Sequence, residues 1–89
     1  MKVAYKVTFL KDLKRIKGSV EFAKIRRLVF DEMPEWKGLE ALTQVKRLRA
    51  KDNAYRIRVG DYRIGFFYDG RSIQLARVLH RKEVYRFFP

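Results

Sequence analysis

The 89-residue chain has no cysteine, one histidine, one tryptophan and two prolines. Without cysteine it forms no disulfide and no thiolate metal site, and a reducing compartment is permitted. His80 has no ligand cluster around it and no glycine-rich loop feeds a helix, so metal-centred and phosphate-loop chemistry find no support. No apolar run approaches membrane-spanning length, and the N-terminus lacks the apolar stretch of a signal peptide. A long basic amphipathic helix with a wide apolar face, which would favour a membrane surface, is missing too. The expectation is a soluble cytoplasmic protein with no cofactor, no metal and no membrane partner.

Acidic residues are also scarce. Ten Asp and Glu stand against 22 Lys and Arg, a formal charge of +12. From Val45 onward the net charge is +8, against +4 before it, so the excess is weighted toward the second half. Such a basic footprint makes nucleic acid the leading partner class. The apolar content of 47% and aromatic content of 15% are those of a folded chain, so the charge does not signal disorder. Residues 1–89 are expected to form one domain with one modest core.

The pattern predicts an α+β fold. Val3, Tyr5, Val7 and Phe9 alternate with Lys2, Ala4, Lys6 and Thr8, which predicts a half-buried first strand over "MKVAYKVTF". Leu10, Leu13 and Ile16 recur at helical spacing and Gly18 ends that segment, a short first helix. Ser19 is the expected N-cap of a second helix, with Glu21 in its first turn facing the dipole. Phe22, Ile25, Leu28, Val29 and Met33 form its inner stripe, and Pro34 marks its end. Farther on, "GLEAL" reads as a helical turn and "VKRL" as an edge strand. The runs "YRIRV", "YRIGFFY" and "SIQLARVL", parted by "GD" and "DGR", predict an antiparallel β-meander. The whole is an N-terminal strand, a two-helix hairpin and a meander forming one twisted sheet with helices packed on one face.

The meander carries the chemistry. Arg56 and Arg58 share the face of their strand opposite Tyr55, Ile57 and Val59, because side chains alternate. Arg63 is out of phase with Tyr62, Ile64, Phe66 and Tyr68 and joins them, with Gly65 leaving space beside it. Like charges on neighbouring strands repel, so this clustering calls for a neutralising neighbour or an anionic ligand. Arg77 and the closing "HRKEVYRFFP" add positive charge, and Tyr85 and Phe87 are available for stacking, the mixture that suits single-stranded RNA. Singly, each has an ordinary reading: a strand arginine whose stem covers apolar surface, a partly buried imidazole, a tail docked by its aromatics. Asp61 and Asp69 fall in predicted turns, where backbone hydrogen bonding explains them. The conjunction is what favours function.

"RLRAKDNAYRIRVGDYRIGFFYDG" followed by "VLHRKEVYRFFP" resembles the RelE toxins of the RelE/ParE superfamily of type II toxin-antitoxin systems, and the likeness extends over nearly the whole chain. It implies a small endoribonuclease that cuts mRNA in the ribosomal A site without a metal. In that reaction a ribose 2′-hydroxyl attacks the adjacent phosphate. By motif, Arg63 and Arg81 match phosphate-stabilising arginines and Tyr85 a tyrosine that stacks on an mRNA base. Arg49, Arg56 and Arg58 match further basic positions, and Lys82 joins that phosphate-binding set. Arginine stays protonated in proteins, so Arg56 and Arg58 are not conventional bases where relatives carry lysine. His80 has the intrinsic pKa best suited to proton transfer near neutrality, with Tyr85 second. A cognate antitoxin is the implied partner, and operator recognition is not expected of this chain. Two other functions are consistent with the residues: a ParE-like gyrase inhibitor without ribonuclease activity, and a nonenzymatic RNA-binding module.

Overall fold

The computed structural model describes residues 1–39, 45–48 and 53–89. The chain runs β1 (Lys2–Tyr5), α1 (Val7–Arg15), α2 (Phe22–Arg27), a π-helical turn (Leu28–Glu32) and a 3₁₀ turn (Met33–Glu35). It then continues as β2 (Val45–Arg47), β3 (Ala54–Val59), β4 (Tyr62–Tyr68), β5 (Ser72–His80) and α3 (Val84–Phe87). All five strands join one sheet in the order β1-β5-β4-β3-β2. The predicted α+β layering and meander are both there, with β2 at one edge. β1 lies parallel to β5 at the other edge, which makes the sheet mixed.

Two boundaries differ from the sequence reading. The first strand stops at Tyr5, and Val7, Thr8 and Phe9 open α1 instead of continuing the alternation. Only helical spacing brings buried Phe9 together with Leu13 and Ile16 in the core, while Val7 remains 67% exposed. Ser19 does not cap α2: its hydroxyl donates to the Ile16 carbonyl at 2.7 Å, and the helix begins only at Phe22. Of the predicted "GLEAL" turn, residues 40–42 lie outside the described residues.

The principal core lies between the helices and the sheet and includes Phe9, Ile25, Val29, Met33, Ile57, Ile64, Phe66, Ile73, Leu75 and Val78. A smaller cluster of Ala54, Ala76, Leu79, Val84 and Phe88 sits on the opposite face, where α3 and the tail are seated. A β-bulge reconciles the two on β5. Gly65 pairs with Arg77 but Phe66 with Leu75, so Ala76 is the unpaired extra residue. Ile73, Leu75 and Val78 can therefore all face the helices although they do not share a simple alternation.

Beyond Leu75 the outer edge of β5 has lost β1 as a neighbour, and α1 covers it with polar side chains. The Thr8 hydroxyl donates to the Ala76 carbonyl at 2.9 Å, and Asp12, one helical turn on, accepts the Val78 N–H at 3.1 Å. These satisfy backbone groups that a missing strand would otherwise leave open.

Candidate nucleic-acid site

The site begins with a two-residue turn. Val59 pairs with Tyr62, leaving Gly60 and Asp61 at the tip of the β3–β4 hairpin. Gly60 has φ +58°, at the first central position, where a type II′ turn needs it. Tight closure puts Arg58 directly across from Arg63 and Arg56 across from Gly65. The Arg63 guanidinium folds back toward the tip, its Nη1 donating to the Gly60 and Tyr62 carbonyls, both at 2.9 Å.

The Arg63 guanidinium feels three others here. Burial foremost, and then the positive charges of Arg58, Arg56 and Arg81, push the Arg63 guanidinium below its usual value, with Tyr85 acting in the opposite sense. It remains a cation at neutral pH, since arginine starts so high. The field that an arriving phosphate would meet is therefore already unfavourable to further positive charge and favourable to an anion.

The four arginines differ in access. Arg56 is only 8% exposed, and its guanidinium lies 4.7 Å from the ring centre of Tyr85 in a cation–π contact. Tyr85 itself is 75% exposed, so its outer ring face is open for stacking while Arg56 backs it from beneath. Arg58 and Arg81 are exposed, Arg63 partly so. The Arg81 backbone N–H donates to the Asp61 carbonyl at 2.8 Å, and its side-chain Nε stands 3.8 Å from an Asp61 carboxylate oxygen, an ion pair exposed on both sides. Asp61 thereby joins the hairpin tip to the segment after β5.

Tyr85 owes its position to Gly65. A Cβ on Gly65 would stand 2.5 Å from ring atoms of Phe88, so the space that the sequence suggested beside Arg63 is filled by the tail. Phe88 also rests against Phe67 with ring centres 5.2 Å apart, and α3 is thereby fixed over the sheet. Between this tail and β2 lies a cleft of about 480 Å³ lined by residues that include Lys46, Arg56 and Tyr85.

His80 stands apart from the arginines. It pairs with Tyr62, and the two rings meet edge to face at 5.7 Å on the side of the sheet that carries the helices. Its Nδ1 accepts the Lys82 N–H at 3.2 Å, and Lys82 is exposed in the turn that follows. Arg77 is committed elsewhere: its Nε and Nη2 donate to Asp12 at 2.7 and 3.0 Å, and its guanidinium lies 5.4 Å from the Phe87 ring centre. Asp12 holds the Arg77 guanidinium above its usual value. Arg49 lies outside the described residues. The sequence reading missed Asp61 and Glu21 as parts of this neighbourhood, although "GD" between two alternating runs marked the turn that Glu21 touches.

Among the described residues no three His, Cys, Asp or Glu side chains gather as a metal site requires, and no helix is long and apolar enough to cross a membrane.

Comparison with known proteins bears on this arrangement. A family model described as the ParE toxin of type II toxin-antitoxin systems matches residues 3–85. Toxin RelE3 of Methanocaldococcus jannaschii is 42% identical over all of both chains. The solved RelB-RelE antitoxin-toxin complex from Methanococcus jannaschii matches with a TM-score of 0.76 and 38% identity, covering 97% of this chain and 99% of that one. YafQ from E. coli shares the fold, with a TM-score of 0.74 at 16% identity over 94% of this chain and 97% of that one. Strand order, the hairpin and the matched residues together lead to one conclusion: the chain belongs to the RelE/ParE toxin family of type II toxin-antitoxin systems and is a toxin of the RelE type.

Proposed function

We propose that this toxin is an endoribonuclease that cuts mRNA in the ribosomal A site and so stops translation in the cytoplasm. The observation that carries the reading is the gathering of Arg56, Arg58 and Arg81 around Arg63, whose guanidinium feels all three, with the open ring of Tyr85 beside them. Mutual repulsion makes that arrangement costly unless an anion is bound, and a stiff hairpin holds it better than a loop would.

The chemistry is the one the family resemblance implies, and the charges suit it. A ribose 2′-oxygen attacks the adjacent phosphorus, its proton leaves, the bond to the 5′-oxygen breaks and that oxygen takes up a proton. The products are a 2′,3′-cyclic phosphate and a free 5′-hydroxyl, and no metal is required for the balance. Negative charge concentrates on the phosphorane oxygens, where the Arg63 and Arg81 guanidiniums supply fixed cations and directed N–H donors. Arg58 adds charge at the rim. Arg56, roofed by Tyr85, holds the stacking ring and strengthens the field from below. Tyr85 orients a base, and so brings the 2′-oxygen into line with the scissile bond.

The partner in the resting cell is a cognate antitoxin. A net charge of +12 invites an acidic chain and speeds its arrival, and the related toxin from Methanococcus jannaschii was solved with RelB. Gyrase inhibition without RNA cleavage is the second reading, favoured by the ParE description of the family match.

Primer extension on mRNA in programmed ribosomes separates them, with the toxin beside an Arg63→Ala, Arg81→Ala double variant confirmed folded. Cuts within the A-site codon that vanish in the variant are expected. No cuts from folded toxin on competent ribosomes would refute the nuclease reading, and loss of supercoiling by gyrase would then support the second.

A further inference from the structure

The hairpin tip is held from the helical layer by a carboxylate. Glu21, just before α2, accepts the Asp61 N–H through Oε2 at 3.0 Å, and its side chain occupies the space a Cβ on Gly60 would need. The Asp61 N–H and the Gly60 C=O belong to the same peptide unit. In a planar trans peptide these two groups point in opposite directions, so a partner on one fixes the aim of the other. On the far side of this unit the Gly60 carbonyl receives Arg63 Nη1 at 2.9 Å. The next carbonyl, that of Asp61, receives the Arg81 backbone N–H at 2.8 Å.

We propose that Glu21 is a positioning residue of the nuclease site, clamping the Gly60–Asp61 peptide so that its carbonyl holds Arg63. The hydrogen bonds run in series: carboxylate to N–H, through the amide, and from C=O to guanidinium. A carboxylate on the N–H polarises the amide and makes its carbonyl a better acceptor for Arg63. Geometry matters more. Glycine at the first central position permits the central peptide of a two-residue turn to rotate between type II′ and type I′. Rotation would turn the Gly60 carbonyl away from Arg63 and leave that guanidinium only the Tyr62 carbonyl against the repulsion of Arg58 and Arg56. Glu21 bonds only the orientation that serves the arginine.

The proposal rests on the nuclease reading for its catalytic consequence but not for its structural one, and the test has an arm for each. Full-length wild type, Glu21→Ala and Glu21→Gln are compared by ¹H–¹⁵N spectra, including the arginine Nε–Hε region, and by mRNA cutting on programmed ribosomes. In Glu21→Ala the Asp61 amide and the Arg63 Nε–Hε resonances are expected to move while core amides stay. The maximal cutting rate should fall on the order of tenfold, with little change in the ribosome concentration giving half-maximal rate. Glu21→Gln, whose amide oxygen accepts the same hydrogen bond, should restore both. An unmoved Arg63 resonance in Glu21→Ala overturns the proposal. So does a glutamine variant as impaired as alanine, or a loss confined to half-saturation. If wild type cuts nothing, the nuclease reading fails and the arginine resonances alone decide the clamp.

Discussion

Asp12 and Arg77 lie 65 residues apart and are joined by two hydrogen bonds, while the same Asp12 carboxylate accepts the Val78 N–H. This is where the sequence-level arithmetic of charge misleads. Arg77 counts toward the basic total, yet its charge is neutralised by a carboxylate that is 3% exposed. Asp12→Ala leaves a guanidinium and a backbone N–H without their acceptor and should cost about 3 kcal/mol in urea unfolding. Arg77→Gln should also destabilise, yet leave the salt dependence of RNA binding nearly unchanged, because Arg77 does not present a free charge to phosphate.

Arg58 and Arg63 should show the opposite balance. They face each other across β3 and β4 as like charges, so Arg58→Gln is expected to leave stability unchanged or raise it by up to about 1 kcal/mol at low salt. Added salt should stabilise wild type more than the variant, because screening removes the same repulsion. Cutting should weaken in Arg58→Gln nonetheless. Thermal unfolding across a salt series, beside the cleavage assay, separates the two effects.

The tail depends on Gly65. In Gly65→Ala the new methyl meets the Phe88 ring, which must leave its seat or shift the strand, at a cost of about 1–3 kcal/mol. Since Phe88 anchors the helix that bears Tyr85, cutting should fall by more than that stability loss explains. Limited proteolysis should reveal an earlier cleavage near the C-terminus, and Phe88→Leu, with its smaller side chain, should partly relieve Gly65→Ala.

His80→Ala is expected to retain most of the cutting activity. The imidazole has the right intrinsic chemistry for proton transfer, but its ring meets Tyr62 on the face opposite the arginines. A loss comparable with that of Arg63→Ala in single-turnover cleavage would return His80 to the reacting centre.

Tyr5 makes stability depend on alkaline pH. Its hydroxyl donates to the Val29 carbonyl at 2.7 Å, and burial, with the Asp31 carboxylate adding to it, raises the phenol above its usual value. The fold thus favours the neutral phenol. Its contribution is complete below the unfolded-chain value of about 10 and is lost as pH climbs through the raised folded value. Tyr5→Phe should cost about 1 kcal/mol at neutral pH. The gap between the two proteins should narrow as pH rises past 10, as followed by urea unfolding.

Alternation and helical spacing carried most of this architecture. The three runs of the meander appear as β3, β4 and β5, and the opposite-face placement of Arg56, Arg58 and Arg63 follows from alternation alone. The failures have particular causes. Val3 to Phe9 satisfies period two throughout, and nothing local reveals that Phe9 will pack with Leu13 as a helical neighbour. Gly65 was legible as an absence of side chain, but what fills the gap arrives from Phe88, far along the chain. Glu21 reads as a first-turn carboxylate facing a helix dipole, but it precedes α2, and its contact with Asp61 spans 40 residues. Pairings at such separation are set by the folded layers, and a single sequence carries no local mark of them.

The unpaired Ala76 gives β5 two reading frames. Up to Leu75 the odd positions turn to the helices, and from Val78 the even ones do, so the strand changes phase once along its length. Point substitutions in this strand act where they fall. Removing Ala76 would merge the frames into one alternation, with Leu75, Val78 and His80 still turned to the helices, but it would take away the carbonyl that accepts the Thr8 hydroxyl. The phase of this strand is thus set by one residue that has no partner on β4 and serves α1 instead.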